Sequence, residues 1–347
     1  MGQGDRKKGC SRRDFLKMSG LLGLSAAAAT ALPVSEAVAF GRGLNKVTRS
    51  IKVMGTFAVI TVVDPSKSRA DDAIGKAFDE MRRLTKIMDR FDSASAVSTL
   101  NRDGRLGGAP PELCEVVGAS GRYHKLSGGA FDITVAPLVD LYRNVFYQTG
   151  RPPDSDMLSR AMALVDGGGV AVSGRSVSLP RPGMAVTLDG IAKGYIIDAA
   201  ARVLKACGVA HALVNSGGDI RAAGGREPGS AWTIAVRDPD STSFADTIHL
   251  TDGAVATSGD YEVYFDRERL YNHIINPTTG ASPVISDSVS VAAPTVTRAD
   301  ALATTVFVMG PDRGRALIES LPDARCFILT RAGERVASKG WAELRKG

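Results

Sequence analysis

Apolar residues recur every three to four positions along several stretches of the chain, and this spacing predicts its helices. Residues 72–91 carry a clear stripe that includes Ile74 and Phe78. A second helix begins at Pro111, a favourable first helical residue, and the glycine pair at 128–129 follows its end. The helices predicted after the first one cover residues 111–126, 191–207, 299–309 and 313–321.

Shorter stretches of alternating character predict strands. Residues 51–63 alternate around Gly55 and indicate one strand, whereas the Gly- and Ser-rich residues 166–182 indicate a hairpin. Further strands are predicted at 212–215, 232–236, 254–257, 271–275, 288–292 and 326–330. Helices and strands are intermixed without a repeat of 20–50 residues, which predicts an α+β (mixed α/β) fold in a single unit.

Residues 1–39 have the pattern of an export signal. Paired arginines at 12–13 precede an apolar run at 18–32, and the triplet AVA at 37–39 offers small residues to a signal peptidase. The paired arginines indicate the twin-arginine (Tat) route, so we expect cleavage after AVA and residues 40–347 to form one periplasmic domain. The alternative is a retained membrane anchor, but the run is short for a bilayer core of about 30 Å.

Charge changes this picture little once the signal is set apart. The whole chain has 43 Lys and Arg, 37 Asp and Glu, and a net charge of +6. The predicted signal contains six of the basic and three of the acidic residues, so the remainder has 37 and 34 and a net charge of +3. This small and dispersed excess argues against a nucleic-acid partner.

Glycine and cysteine are more informative than charge. The 38 glycines among 347 residues exceed the usual share of about 7%, which indicates close backbone approaches to a ligand or within a crowded fold. Four cysteines in 347 residues are too few for a disulfide scaffold, and the absence of a C-x-x-C pair excludes the common zinc and redox motifs. Cys114 and Cys207 fall on apolar helical stripes, where a thiol acts as a small hydrophobic group.

The segment LDGIAKGY at 188–195 is a candidate anion site because it opens a predicted helix. Backbone N–H groups and the positive end of the helix dipole face outward there. Lys193 lies in the first turn, where a cation is unfavourable unless an anion compensates it. The anion would be a phosphate, and the alternative is a lysine that points into water.

The segment TRADALATT at 297–305 is a candidate cation site. Asp300 and Thr304 are four residues apart and share a helix face, and such oxygen donors suit Mg²⁺ together with phosphate and water. The alternative is a helix start with Thr297 as N-cap and Asp300 three residues later. Clustered-histidine zinc motifs and the G-x-S-x-G serine-hydrolase motif are absent from the sequence.

Eight segments in order together resemble the ApbE family of FAD:protein FMN transferases. They are VMGTFAVI (53–60), MDRFDSASAVSTLN (88–101), GGAFDITVAPLV (128–139), LDGIAKGYIID (188–198), NSGGDIRAAG (215–224), TSGDYE (257–262), YNHIINPTTGASP (271–283) and ADALATTVFVMG (299–310). The resemblance implies an ApbE/T-fold-like unit with mainly antiparallel strands. It also implies Mg²⁺-dependent transfer of the FMN moiety of FAD to a threonine hydroxyl of a partner protein, with release of AMP.

The resemblance also implies roles for individual residues. The positions that match contacts to FAD are Met54, Phe91, Ala130, Phe131, Asp132, Lys193 and His273. The positions that match magnesium ligands are Asp300, Thr304 and, through a main-chain oxygen, Gly190. Asp300 and His273 are the implied catalytic residues. His273 would orient or deprotonate the threonine, and the alternative is that it only contacts the flavin.

One position departs from the family pattern. The family commonly has an aspartate two residues before the glycine pair of its helix-opening motif, where this chain has Thr187. Asp189 stands instead where the first of those glycines would be. Either Asp189 supplies a shifted carboxylate to the nucleotide, or Thr187 makes a neutral contact. This variant suggests the family branch linked to nitrous-oxide reductase maturation.

Two other functions remain open from the sequence. The same pocket could serve a FAD-binding or accessory protein, or a pyrophosphatase that splits FAD into FMN and AMP. For a transferase, the expected acceptor is a periplasm-facing subunit of a membrane redox protein.

Overall fold

The computed structural model describes residues 38–40, 43–239, 241, 243–259, 265 and 271–346, and strands of these segments form three sheets. The strands are β1 (Val38–Phe40), β2 (Leu44–Val53), β3 (Thr56–Asp64), β4 (Arg105–Gly107), β5 (Ala171–Ser173), β6 (Ser176–Ser178), β7 (His211–Ser216), β8 (Asp219–Ala223), β9 (Trp232–Arg237), β10 (Phe244–Leu250), β11 (Gly253–Gly259), β12 (Ser286–Ala293), β13 (Arg325–Thr330) and β14 (Arg335–Ala337). The central sheet has the order β1-β2-β3-β7-β8-β11-β12-β13-β14. All its neighbouring strands are antiparallel.

Helices pack on one face of the central sheet. The helices are α1 (Lys67–Met88), α2 (Ala96–Asp103), α3 (Pro111–Leu126), α4 (Ala136–Thr149), α5 (Ser155–Met162), α6 (Ala192–Ala206), α7 (Val296–Met309) and α8 (Pro311–Glu319). On that face, α1 and α6 pack against β2, β3 and β7, and α7 and α8 pack against β12 and β13. The largest core joins the apolar stripe of α1 to α6 and to one face of β2, β3 and β7. The intermixed fold with mainly antiparallel strands is thus confirmed.

The opposite face of the sheet is covered by the β9–β10 hairpin and the C-terminal 3₁₀ helix. The side chains of Trp232 and Trp341 are both buried there, and the ring of Trp341 stacks on that of Phe327 from β13. This second core covers the face of the sheet opposite the helices. The candidate site therefore lies on the helical side.

The turn between β2 and β3 corrects the prediction of one strand over 51–63. Met54 has a φ of 54° and Gly55 a φ of 70°, so both residues of the turn are left-handed. Two such residues form the tight hairpin connection in which Val53 pairs with Thr56. A methionine in this conformation is uncommon, which is why the sequence pattern did not predict a turn here.

Helices α6 and α7 cross at unusually close range. A methyl group on Gly194 would lie only 2.6 Å from the carbonyl oxygen of Val296, so this position accommodates no side chain. The close approach brings the first turn of α6 against the N-terminal half of α7. The two segments with candidate chemistry therefore lie side by side.

The other differences from the predicted elements are local. A strand at 271–275 is wrong, because Asn272 forms only an isolated bridge and its neighbours are irregular. Strands β1, β4, β8, β10 and β14, most of β2, and helices α2, α4 and α5 were not predicted. The α3 boundaries were predicted correctly, and the hairpin in 166–182 is present as β5 and β6.

Part of the predicted signal lies outside the described residues. These are residues 1–37, which include the paired arginines and the apolar run. Val38 and Ala39, assigned by sequence to the end of the signal, form β1 with Phe40 at the edge of the central sheet. Among the described residues, no helix combines the length and apolar character needed to cross a membrane.

Candidate active site

A cleft opens where the start of α6 meets α7, the end of β11 and the loop before β12. Ten of the residues that the sequence assigns to the site line it together: Ala130, Phe131, Asp132, Thr187, Asp189, Gly190, Lys193, His273, Asp300 and Thr304. The cleft lining comes from five separate segments of the chain, and these ten residues lie on four of them.

Asp300 is buried on α7 and connects the two helices. Its Oδ2 accepts a hydrogen bond of 3.0 Å from the backbone N–H of Gly194, in the first turn of α6. A carboxylate at a helix start is stabilised by the positive end of the helix dipole. The predicted alternative, a cap at Thr297, is wrong because α7 begins at Val296 and its N-cap is Thr295.

Asp198 is the carboxylate that supports the start of α7. It accepts from the N–H groups of Val296 and Thr297 at 3.0 and 2.8 Å, and from the Thr297 hydroxyl at 2.6 Å. Asp198 comes from α6, so each of the two helices carries an aspartate that satisfies amides of the other. This reciprocal arrangement fixes the distance and angle between the helices.

Neutral oxygens line the cleft together with the Asp300 carboxylate. The Thr304 hydroxyl lies 3.2 Å from that of Ser258 on β11, and a methyl group on Gly190 would stand 2.9 Å from Thr304 Oγ1. One carboxylate, hydroxyls and a nearby main chain are hard donors that suit Mg²⁺ shared with phosphate oxygens. Across the segments described, no group of three or more His, Cys, Asp or Glu residues could hold a metal, so the donor set does not resemble a zinc site.

Lys193 pairs with a protein carboxylate rather than pointing only into water. Its Nζ lies 3.3 Å from Oδ2 of Asp219, which is buried at the start of β8 and also accepts from Thr257 N–H. The lysine side chain keeps 21% of its surface exposed and lines the cleft. The sequence alternatives for Lys193 were a phosphate or water, and neither included this partner.

The loop that carries His273 is held from both sides. Asn272 is fully buried, its Oδ1 accepts from Ile274 N–H, and its backbone exchanges hydrogen bonds with the Ser282 hydroxyl. Further along, Asn276 Oδ1 accepts from the N–H groups of Thr278 and Thr279 in a tight turn. The fixed loop places His273 in the lining of the same cleft as Asp300.

Asp132 serves mainly as an internal support of the cleft wall. Its Oδ1 accepts from the N–H and hydroxyl of Thr134 at 2.7 and 2.6 Å, and its Oδ2 accepts from Gly167 N–H at 2.9 Å. His124 Nδ1 lies 3.3 Å from the same oxygen. The carboxylate therefore orders the segment that presents Phe131 to the cleft.

Thr187 and Asp189 occupy different environments. Thr187 is buried, and its hydroxyl accepts from Asp189 N–H at 3.3 Å within the turn. The Asp189 side chain is 55% exposed and lies 3.8 Å from Arg90 Nε. Both residues line the cleft, but only Asp189 presents a half-exposed charge to it.

Met54 and Phe91 are the two assigned residues that do not line the cleft. Met54 lies in the β2–β3 turn, two residues before Thr56, whose side chain approaches Gly217. Phe91 is 65% exposed beyond Arg90, whose guanidinium carbon lies 4.6 Å from the centre of its ring. Both residues therefore lie next to elements of the cleft rather than within it.

The sequence model of the ApbE family matches residues 54–328. The chain belongs to the ApbE family. Similar curated proteins are the FAD:protein FMN transferases of Vibrio cholerae, 34% identical over 69% of this chain and 75% of that protein, and of Treponema pallidum, 32% identical over 80% and 83%.

Solved ApbE structures share this fold. The ApbE protein of Thermotoga maritima has a TM-score of 0.79 and 29% identity, and the match covers 87% of this chain and all of that one. The apo form of the Pseudomonas stutzeri flavinyl transferase ApbE has a TM-score of 0.76 and 27% identity, over 86% of this chain and 97% of that one.

Two aspartates of the ApbE-like segments were missed as site residues by the sequence reasoning. Asp198 closes the segment 188–198, and Asp219 lies in NSGGDIRAAG. The sequence feature that could have indicated them is an acidic residue inside a helix-opening motif, for Asp198, or a glycine-rich motif, for Asp219. Their partners, Thr297 and Lys193, lie elsewhere in the chain, so no local pattern indicated the pairing.

Proposed function

We propose that this protein transfers the FMN moiety of FAD to a threonine hydroxyl of a partner protein and releases AMP. Membership of the ApbE family and relatives named FAD:protein FMN transferase support this proposal. The observation that carries it is the pairing of Asp300 with the first turn of α6, beside Lys193 and Thr304 in one cleft.

The start of α6 is suited to bind the pyrophosphate of FAD. The helix has no side-chain cap at Ile191, and the positive end of its dipole faces the cleft residues. Lys193 adds a cation that Asp219 holds near this position. Contacts from the backbone N–H groups and from Lys193 to the phosphate oxygens would hold the phosphorus in position for attack. Phosphoryl transfer depends mainly on this positioning.

The residues present fit a magnesium ion. Asp300, Thr304 and a main-chain oxygen at Gly190 would hold it. When bound, Mg²⁺ neutralises charge on the phosphate oxygens. Ser258, hydrogen-bonded to Thr304, would keep that hydroxyl turned toward the site.

His273 is the group proposed to act on the acceptor. It lines the cleft with Asp300, and histidine exchanges protons near neutral pH. The threonine oxygen would form a bond to the phosphorus next to riboflavin while the bond to the AMP oxygen breaks. His273 would orient the hydroxyl or accept its proton, and its proposed alternative role is contact with the flavin only.

The test uses purified protein, FAD and Mg²⁺ with and without a threonine-bearing acceptor. We expect AMP and in-gel flavin fluorescence only with the acceptor, and loss of both in Asp300→Asn. Asp103→Asn, an exposed carboxylate paired with Arg102 outside the cleft, is the matched control. AMP without acceptor would identify a pyrophosphatase, and binding without AMP a carrier protein; either result contradicts the proposal.

The role of His273 has its own measurement. His273→Ala should lower the single-turnover rate of AMP release, and a rate within about threefold of wild type would leave only flavin contact. The His273→Gln variant keeps hydrogen bonding without proton exchange. A rate restored by glutamine would indicate orientation of the hydroxyl rather than deprotonation.

We further propose that the protein acts in the periplasm on an exported or membrane-bound redox subunit, in the branch linked to nitrous-oxide reductase maturation. The support for the periplasm is the predicted Tat signal at residues 1–39, which leaves residues 40–347 as the mature domain, and the support for the branch is the motif variant with Thr187 and Asp189. Replacing both Arg12 and Arg13 with lysine should retain the protein in the cytoplasm. Export of that variant at the wild-type level, measured by cell fractionation, would contradict this.

A further inference from the structure

Arg90 is a buried cation between two carboxylates at the rim of the cleft. Its side chain is only 6% exposed, and its two terminal nitrogens each donate to one oxygen of Asp140 at 3.0 Å. Its Nε faces Asp189 Oδ2 at 3.8 Å, beyond hydrogen-bond distance. Asp140 therefore holds the guanidinium in place, and Asp189 makes no hydrogen bond to it.

The Nε of Arg90 has no hydrogen-bond acceptor among the residues that the structure describes. A buried donor on a cation that lacks an acceptor is costly, so it indicates a position where an acceptor arrives with a ligand. The neighbouring acceptor, Asp189, is half-exposed toward the cleft. Donor and acceptor thus stand side by side at the rim.

Phe91 adds an aromatic face to this pair. Its ring is 65% exposed and lies next to two guanidinium groups, 4.6 Å from that of Arg90 and 4.9 Å from that of Arg143. A negatively charged phosphate is disfavoured next to Asp189. The combination suits a neutral heterocycle whose edge carries an N–H beside a hydrogen-bond acceptor.

We propose that Asp189 and Arg90 recognise the edge of one ring system of the flavin nucleotide. Asp189 accepts from a ring N–H or amino group, Arg90 Nε donates to the adjacent ring oxygen or nitrogen, and Phe91 packs on the ring face. The isoalloxazine and the adenine of FAD both carry such an edge. The inference rests on the proposed function, because it takes FAD as the ligand.

This assignment decides between the two residues of the altered motif. Thr187 is buried and its hydroxyl accepts from the backbone of Asp189, so it shapes the turn. Asp189 is the specificity-determining residue. Arg90, held in place by Asp140, donates to the ligand beside it.

The test measures equilibrium binding of FAD, FMN and ADP separately to the full chain and to Asp189→Asn, with thermal melting to establish folding. We expect FAD to bind at least tenfold more weakly to the variant, with Asp103→Asn unchanged. A matching loss for FMN but not ADP assigns the isoalloxazine, and a loss for ADP but not FMN assigns adenine. Unchanged FAD binding, or equal losses for FMN and ADP, overturns the proposal.

Arg90 is tested against a neighbour that shares its other contacts. Arg143 also lies over Phe91 and pairs with Asp140 at 3.3 Å, but not with Asp189. Arg90→Lys should weaken FAD binding at least fivefold, and Arg143→Lys should leave FAD binding unchanged. Equal effects of the two substitutions on FAD binding would mean that Arg90 acts only through packing.

These binding measurements need neither acceptor nor turnover. A protein that binds FAD with the expected dependence on Asp189 but forms no AMP with any acceptor would contradict the proposed function and leave this inference standing. Normal transfer with unchanged affinity in Asp189→Asn would do the reverse.

Discussion

The backbone N–H of Gly194 and the carboxylate of Asp300 are joined by a hydrogen bond of 3.0 Å across 106 residues of sequence. The same carboxylate belongs to the donor set that fits a hard cation. Asp300 therefore contributes both to the docking of α6 on α7 and to the chemistry of the cleft, and substitutions can separate these two contributions.

Asp300→Asn and Asp300→Ala should differ in stability but not in activity. Asparagine keeps an acceptor for Gly194 N–H, whereas alanine leaves that buried donor unpaired, at a cost of about 1–3 kcal/mol in the free energy of unfolding. Both lose the charge, so both should lower AMP release by about 100-fold or more. Urea unfolding and AMP quantification are the measurements. Equal stabilities of the two variants would contradict the structural contribution.

Gly194→Ala should destabilise the protein because the new methyl group would meet the Val296 carbonyl at 2.6 Å. Separation of α6 from α7 should cost about 1–3 kcal/mol and lower FAD affinity. Gly75→Ala is the matched control: it is an exposed helical position with nothing within 4 Å of the new methyl, and should gain about 0.5–1 kcal/mol. Thermal melting of both variants distinguishes the contact from a general effect of glycine replacement.

Lys193 and Asp219 should be energetically coupled. Asp219 is buried while Lys193 is 21% exposed, so Asp219→Asn should cost about 1–3 kcal/mol, below the range for fully buried pairs. In a double-mutant cycle with Lys193→Met, the coupling should exceed about 0.5 kcal/mol. The more exposed pair Arg181 and Asp166, at 3.1 Å, should give about 0–1 kcal/mol. A coupling near zero for the first pair would show that the ion pair is incidental.

Cys326 should react slowly with thiol reagents in the native protein. Burial on β13 raises the pKa of its thiol to about 11, so little thiolate exists at pH 8. Mass mapping after iodoacetamide should find the half-buried Cys114 and Cys207 labelled first. Because the folded pKa is raised, this contribution to stability is complete below pH 9 and is lost as pH rises toward 11. Rapid labelling of Cys326 at pH 8 without unfolding would contradict this.

The features predicted best from the sequence are those determined by residues close together along the chain. Pro111 and the glycines after α3 mark both ends of that helix, and the predicted bounds match. The i,i+4 pair of Asp300 and Thr304 shares the cleft as its spacing indicated. The segment around Asn272 failed as a strand because its hydrogen bonds go to Ser282 and to its own side chain instead of a neighbouring strand. The spacing of apolar residues does not show that side chains will compete with strand pairing for the backbone hydrogen bonds.

Pairings between distant segments could not be predicted in this way. Asp198 meets Thr297, and Lys193 meets Asp219, only because the helices and strands dock in one particular arrangement. Phe91 shows the same limit, since its motif indicated a place in the pocket but the loop holds it at the rim beside Arg90. Motifs identify which side chains carry chemistry, while tertiary packing decides which of them meet.

The two helices that form the cleft, α6 and α7, lie far apart in the sequence, and this has a consequence for biosynthesis. A nascent chain that ends before α7 contains the start of α6 but lacks Asp300 and Thr304. Tight nucleotide binding should therefore begin only when synthesis is almost complete. Flavin retention by C-terminally truncated chains of increasing length would then report when α7 docks on α6, after the strands β7 to β12 between them have formed.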